Sequence, residues 1–323
     1  MQRAFGSNMT AEIAYVASHG SGLNFPTDIN AIPENALSGN DASGCDNTGT
    51  TVNCARPYPI FQGISGSTNN AISNYNSLQA SIKKRLKSGF SFEFNYVWSH
   101  MLDDIDSSGW GSRAGPQSFQ DAYHPSANYG ASNFDVRNAF KGYAVYELPI
   151  GRGKAFLNSN ALVDGILGGW QIAGTVVLAS GNPFNVQGSQ NTYQQAGQAY
   201  PNWTLGVSPI PRNRSITNWF NPAAFTEPAN GTFGDVRRNS LYGPGLDVVN
   251  LSGSKIFSIR ENIKLQIRAD AQNAFNHPSF GVPGDASLGG SSGPGTPYTT
   301  GTTTINTLTV YGRNVQLGAR LSF

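Results

Sequence analysis

The last ten residues of the chain, Asn314 to Phe323, constrain its fold more than any other stretch. Even-numbered positions carry Asn, Gln, Gly, Arg and Ser, whereas the odd-numbered positions are all apolar: Val315, Leu317, Ala319, Leu321 and Phe323. This period of two residues predicts a β-strand with one apolar face and one polar face. The pattern continues to the terminal aromatic residue, although the ends of soluble domains usually fray. A strand of about ten residues of this kind is typical of a transmembrane β-barrel.

The overall composition favours the same interpretation. Charged residues make up only 12% of the chain, about half of the roughly 25% found in soluble domains. The mean hydropathy is still −0.31, because uncharged polar residues and 38 glycines take the place of charges. No run approaches the ~18 consecutive apolar residues of a membrane helix. If the chain spans a membrane, it therefore does so with strands.

A second alternating stretch covers residues 90–99. One face carries only aromatic side chains, which are Phe90, Phe92, Phe94, Tyr96 and Trp98. In water such a row promotes aggregation. Facing lipid it is expected, with Tyr96, Trp98 and, on a later strand, Trp170 in an aromatic girdle at the membrane interface.

Alternation of this kind predicts eight strands, over residues 10–19, 76–84, 90–99, 136–148, 170–180, 247–257, 263–271 and 314–323. The connections between them are alternately long and short, except that the one between the fourth and fifth strands is short or medium in length. Bacterial outer-membrane barrels show this asymmetry, with short periplasmic turns and long extracellular loops. We therefore expect an all-β, antiparallel transmembrane barrel segment of about eight strands.

No other function class is indicated by the remaining motifs. The net charge is +2 and no basic run exceeds residues 83–85, which argues against nucleic-acid binding. The histidines are scattered and no nucleophile has a partner, so we expect neither an enzyme nor a cofactor. An acidic cluster of Asp103, Asp104, Asp106 and Asp121 has the oxygen ligands that Ca²⁺ prefers, but it lacks an ordered ligand pattern. Solvated loop acids near lipopolysaccharide cations are the favoured interpretation.

Two features concern the cellular route of the chain. Cys45 and Cys54 lie in a Gly-, Asn- and Thr-rich stretch, which indicates a loop disulfide formed in an oxidising compartment. The first ten residues carry no apolar segment of a signal peptide. Because a barrel protein must be exported, we expect this chain to be the C-terminal piece of a longer protein.

Several short motifs then occur in a particular order. They are NYNSLQ at 74–79, YVWSHMLDD at 96–104, YELPIGRG at 146–153, GGWQ at 168–171, SGNPF at 180–184 and NAFNHP at 273–278. Together they resemble the C-terminal half of TonB-dependent outer-membrane receptors. The most similar subgroup is the large Oar-like receptors, which carry an N-terminal carboxypeptidase-regulatory-like domain.

The resemblance implies a fold, a function and partners. The family has a 22-stranded barrel with a plug domain in its lumen, so residues 1–323 correspond to the C-terminal part of the barrel, without plug, coupling segment or signal peptide. The implied function is uptake of a large, unidentified solute across the outer membrane. A TonB complex supplies the energy, the barrel-assembly machinery recognises the terminal strand, and outer-membrane lipid and lipopolysaccharide surround the barrel.

Charged residues on the polar faces of the strands are the candidate functional positions. We expect five of them to face the lumen: Arg137, Lys264, Arg268, Asp270 and Arg320. They would contact the plug or a passing solute, or they are polar only because water fills a wide barrel. An arginine on the lipid side would cost about 2–4 kcal/mol at mid-membrane.

Two alternatives remain open at this point. One is a self-contained eight-stranded barrel that acts as an adhesin or a structural protein. The other is a secreted β-sandwich that binds glycans, in which the aromatic row at 90–98 would need a partner sheet.

Overall fold

The structure is a computed structural model that describes residues 1–33, 36, 55–61, 63–105, 120–151, 153–156, 165–188, 200–229, 232–260, 262–283 and 286–323. Cys45, Cys54 and Asp106 lie outside these ranges, and so does the predicted disulfide. The described chain consists mainly of strands, with short 3₁₀ helices at Pro125–Asn128 and Pro222–Ala224. Across these ranges, no helix is long and apolar enough to span a bilayer.

Nine strands form one continuous antiparallel path in the described residues, and each strand pairs with the next one along the chain. They are β1 Gln2–Phe5, β2 Met9–Asp28, β3 Ser65–Lys87, β4 Phe90–Asp103, β5 Asn138–Glu147, β6 Trp170–Ala179, β7 Leu246–Arg260, β8 Ile263–Gln272 and β9 Asn314–Ser322. A two-residue strand, Gly130–Ala131, also joins β4. The predicted fold class, an all-β antiparallel sheet, is confirmed.

All eight predicted strands are present, with two differences from the prediction. A ninth strand, β1, precedes them; its four residues are too few for alternation to reveal it. In addition, β2 and β3 extend well beyond residues 10–19 and 76–84, into what was predicted to be a loop. Backbone pairing continues there through register shifts between Gly20 and Phe25, while the apolar periodicity that signals a membrane strand stops.

The register assigns side chains to the two faces of the sheet. Directly opposed residues of an antiparallel pair project to the same side. Leu317 lies opposite Ala269, and Gln316 lies opposite Asp270. Tyr96 lies opposite Phe140. The apolar positions therefore form one continuous face and the polar positions form the other.

Connections at the two ends of the sheet differ in length, as predicted. Tight turns occur at one end, including the two-residue turn between β3 and β4, where Ser88 and Gly89 have φ of 55° and 75°. Positive φ at both positions gives the type I′ geometry that matches strand twist. Long connections occupy the opposite end, which is the extracellular end in an outer-membrane barrel.

These long connections contain an organised domain, which we call the cap and define as the described residues of 29–64, 104–137, 180–245 and 273–313. Short strand pairs run through it, for example Asn202–Trp203 with Phe225–Thr226 and Ala286–Gly289 with Thr300–Gly301. The main buried apolar cluster lies here, and its members include Phe184, Val186, Phe220, Phe225, Val236, Leu241 and Tyr298. The core of the described chain is thus in the cap, where the sequence predicted only loops.

Candidate functional site

The polar face of the sheet forms a concave wall across β6 to β9. A hollow of about 510 Å³ lies against it. Its lining is dominated by uncharged hydrogen-bonding side chains, namely Gln171, Thr175, Asn250, Ser252, Ser254, Gln266, Gln272 and Gln316. Because the face is concave and polar, its geometry is that of the water-facing inner wall of a barrel.

Four of the five predicted lumen-facing charges lie on this polar face. Arg268 and Asp270 line the hollow, and Arg268 Nε is 2.7 Å from Asp270 Oδ1. Arg320 lies opposite Gln266, and Lys264 lies opposite Ser322, nearer the end with short turns. The paired charges neutralise each other, so this part of the wall interacts mainly through neutral amides and hydroxyls. Contact of these residues with a plug or a solute stays a prediction.

Arg137 lies at the border between sheet and cap, one residue before β5 begins. Its Nε donates to Asp135 Oδ2 at 2.9 Å, and its Nη2 lies 2.9 Å from His100 Nε2. The Tyr242 hydroxyl donates to the same Asp135 oxygen at 3.0 Å. Burial raises the pKa of Tyr242 above its ordinary value, with opposing effects from Arg137, so the hydroxyl keeps its proton. Arg137 therefore links the start of β5 to β4 through His100 and to the cap segment that contains Tyr242, by contacts that the sequence did not predict.

An additional ion pair on the polar face was also missed. Lys83 Nζ lies 2.9 Å from Glu93 Oε2. The register shifts between Lys84 and Lys87, and without this bulge Lys84 would have faced Glu93. Lys84 instead places its ammonium group 5.0 Å from the ring centroid of Phe90. A sequence pattern shows alternation within a strand, but it does not show a bulge.

The apolar face carries the predicted aromatic residues and adds partners from β5. The rings of Phe92 and Phe94 lie 5.3 Å apart, and those of Phe94 and Phe140 lie 5.6 Å apart. Phe90 makes an edge contact with Tyr146 at 5.9 Å. These aromatic residues remain partly exposed in the isolated chain, which fits a surface covered by lipid.

Trp98 and Trp170 lie towards opposite ends of the strands. Trp98, in β4, is 45% exposed, and Trp170 begins β6 and donates from Nε1 to the carbonyl of Ile166 at 3.0 Å. Tryptophan therefore occurs near both ends of the apolar face, as expected for aromatic girdles at the two membrane interfaces.

The terminal strand β9 is exposed along its whole length. It pairs with β8, and no other strand of the described residues covers its second edge. Leu317 is 78% exposed and Phe323 is 97% exposed, so the apolar side chains do not pack inside the chain itself. Recognition of this strand by the assembly machinery stays a prediction.

The three described acids of the cluster, Asp103, Asp104 and Asp121, are buried, so the expectation of solvated acids was wrong for them. Each is at most 5% exposed. Asp103 forms an ion pair with Arg238, whose Nη2 also donates to the Asp103 carbonyl at 2.6 Å. Asp121 Oδ2 lies 2.6 Å from His124 Nδ1. Within the described ranges, no group of three or more His, Cys, Asp or Glu side chains is arranged to hold a metal ion.

Asp104 differs from its neighbour because no cation of the described residues forms an ion pair with it. Burial raises the pKa of its carboxyl group, although the backbone N–H of Ile72, at 2.9 Å from Oδ2, and the charge of Arg238 oppose that shift. Its other oxygen, Oδ1, is buried without a hydrogen-bond partner. This carboxyl group links the cap to β3 through the Ile72 N–H.

Comparison of the sequence with known protein families identifies the class of protein. The outer membrane beta barrel domain family matches residues 1–316, so the chain belongs to that family. The chain is therefore a barrel domain of the bacterial outer membrane. No curated protein matches it significantly.

Among solved structures, the outer membrane transporter YddB from Escherichia coli is similar at 10% sequence identity and a TM-score of 0.39. The similarity covers 98% of this chain and 31% of that one. The chain thus spans about a third of the length of that transporter.

Proposed function

We propose that this chain is the C-terminal part of the barrel of a TonB-dependent receptor of the Oar-like subgroup, which takes up a large solute across the outer membrane. Strand direction carries the proposal. The described sheet has nine alternating strands, so its edge strands β1 and β9 run the same way. Two edge strands that run the same way cannot pair antiparallel with each other. Bacterial single-chain barrels contain an even number of strands, so closure requires an odd number of strands in addition to these nine.

A larger barrel is also consistent with the polar wall. Small barrels of about eight strands fill their interior with side chains, whereas wide barrels leave an aqueous lumen or enclose a plug. The hollow beside Arg268 and Gln316 is polar and open. The ordered motifs from 74–79 to 273–278 support the receptor family rather than a self-contained adhesin.

Transport by such a receptor involves no covalent chemistry in this chain. The cap meets the solute outside the cell, and the polar wall lines its path. The plug and coupling segments belong to other parts of the receptor, and an inner-membrane TonB complex supplies the energy. Lipid and lipopolysaccharide cover the apolar face, and β9 is the strand that the barrel-assembly machinery recognises.

The test compares three bacterial strains: the parent, a strain without the gene that encodes this chain, and a strain without TonB. The solutes removed from a complex growth medium are measured by mass spectrometry. We expect at least one large solute that the parent removes and that neither mutant removes. The proposal would be contradicted if the strain without this gene, or the strain without TonB, removed every large solute that the parent removes.

A further inference from the structure

An apolar pocket lies in the cap, and it shares no lining residue with the hollow at the polar wall. Its volume is about 220 Å³, below the roughly 300–1,000 Å³ of pockets that enclose a whole drug-sized ligand. It is therefore large enough for one terminal group of a larger molecule. Its floor and walls are mostly aromatic and aliphatic, and they include Phe184, Trp203, Trp219, Phe220, Leu241 and Tyr242.

The pocket is built on the buried core of the cap. Phe220 is 1% exposed and Leu241 is 8% exposed, and both belong to the main buried cluster. Trp219 donates from Nε1 to the Tyr242 carbonyl at 2.9 Å, which fixes the indole as one wall. A ligand that enters the pocket thus meets preformed apolar surfaces.

Arg214, an exposed side chain, is the one cation among the described residues that line this pocket. The Arg214 guanidinium stacks on the Trp219 ring, with Cζ 3.6 Å from the centroid. Its Nε donates to the Trp219 carbonyl at 3.1 Å, and its Nη2 donates to the Tyr242 carbonyl at 2.9 Å. These two bonds fix the plane of the guanidinium group, and Arg214 lines the pocket.

The charge of Arg214 has no counterion in the described residues. Loss of solvation lowers the pKa of its guanidinium, with no offsetting effect from a nearby acid. Asp235, whose Oδ1 accepts from the Trp203 backbone N–H, is not part of the pocket lining. A cation held in place on an aromatic wall without a partner favours an anionic ligand.

We infer that this pocket binds an apolar or aromatic carboxylate, either a free acid or the C-terminal residue of a peptide. The apolar group would fill the pocket and the carboxylate would accept hydrogen bonds from Arg214. A phosphate fits less well, because its additional charged oxygens would lose water without any second cation to bind them. The inference relies on the proposed function only for its role in solute capture, since binding is measurable without transport.

The experiment measures binding by isothermal titration calorimetry, with the full protein purified from outer membranes in detergent. The free-acid probe is N-acetyl-phenylalanine, and its amide is the uncharged match. An Ala-Ala-Phe peptide, with a free or an amidated C-terminus, represents the peptide source. We expect the free carboxylates to bind at least about tenfold more tightly than the amides, since one charge-assisted hydrogen bond contributes that much.

Arg214→Gln should reduce carboxylate affinity to that of the amides. Arg212→Gln is the matched control, because it removes the same charge from the same segment but lies outside the pocket lining, and it should leave the affinity unchanged. Binding of the free acid, the peptide or both supports the site and identifies the source. No binding of either, equal affinity for acid and amide, or an equal loss with Arg212→Gln would overturn the inference, whatever the outcome of the uptake experiment.

Discussion

The sheet and the cap of this chain are stabilised in opposite ways. In the sheet, apolar side chains such as Leu317 and Ile13 are more than half exposed, at 78% and 58%, because lipid is the solvent for that face. In the cap, Phe225 and Tyr298 are 0% exposed, because water surrounds it. One chain therefore meets two solvents. The sheet is formed by backbone pairing within a membrane, and the cap by a conventional buried core.

The largest expected effect concerns the buried ion pair between Asp103, the last residue of β4, and Arg238 of the cap. Asp103→Ala removes a carboxylate that pairs with Arg238 at a buried site, which should cost about 3–5 kcal/mol of local stability. Hydrogen exchange of peptides from residues 232–245 measures this local opening. The matched control is Asp270→Ala, which breaks the exposed pair with Arg268 and should cost about 0–1 kcal/mol. Equal losses in both variants would show that the buried pair stabilises the cap no more than an exposed pair does.

A smaller effect is expected on the lipid side of the sheet. Leu317→Arg places a charge near the middle of the apolar face and should cost about 2–4 kcal/mol. Gln316→Arg, one residue away on the polar face, should cost much less, because water solvates that side. The free energy of unfolding by urea in phospholipid vesicles measures both. A greater loss for Gln316→Arg would reverse the assignment of the faces.

The smallest expected effect is the pH dependence of the cap. Burial raises the pKa of Asp104, so the folded cap holds this proton more tightly than the unfolded chain does. The associated stability is complete below the ordinary pKa of 3.8 and is lost as the pH rises through the raised value. Asp104→Asn keeps an acceptor for the Ile72 N–H but cannot ionise.

This variant should therefore lose less cap stability than the parent between acidic and neutral pH. Urea titrations at a series of pH values, followed by hydrogen exchange of peptides that contain Ile72, provide the comparison. If cap stability changed with pH by the same amount in the parent and in Asp104→Asn, the Asp104 carboxyl group would not be the cause of the pH dependence.

The sequence predicted the sheet because membrane strands obey a local rule. Alternation in β4 and β9 revealed both faces, and the register placed Arg268 and Asp270 on the polar side as expected. It missed β1, whose four residues show too little pattern. It also missed the Lys83–Glu93 pair, because the bulge after Lys84 changes which lysine faces the carboxylate.

The cap was not predictable in the same way, because its contacts join distant parts of the chain. Asp103 is paired with Arg238, which is 135 positions further along, and no periodicity marks either residue. The pocket beside Arg214 combines segments around Phe184, Trp203 and Leu241. Read in sequence, these cap segments are consistent with solvated loops. Only their tertiary arrangement reveals the buried core of the cap.

The most direct test of the two-solvent account is a spin-label scan of β9. Single cysteines replace each residue from 315 to 321, in a protein whose Cys45 and Cys54 are serine, reconstituted in phospholipid vesicles. Collision with oxygen reports contact with lipid, and collision with a water-soluble nickel chelate reports contact with water. The account predicts oxygen access at 315, 317, 319 and 321 and nickel access at 316, 318 and 320. Equal access at all positions, or the opposite alternation, would contradict it.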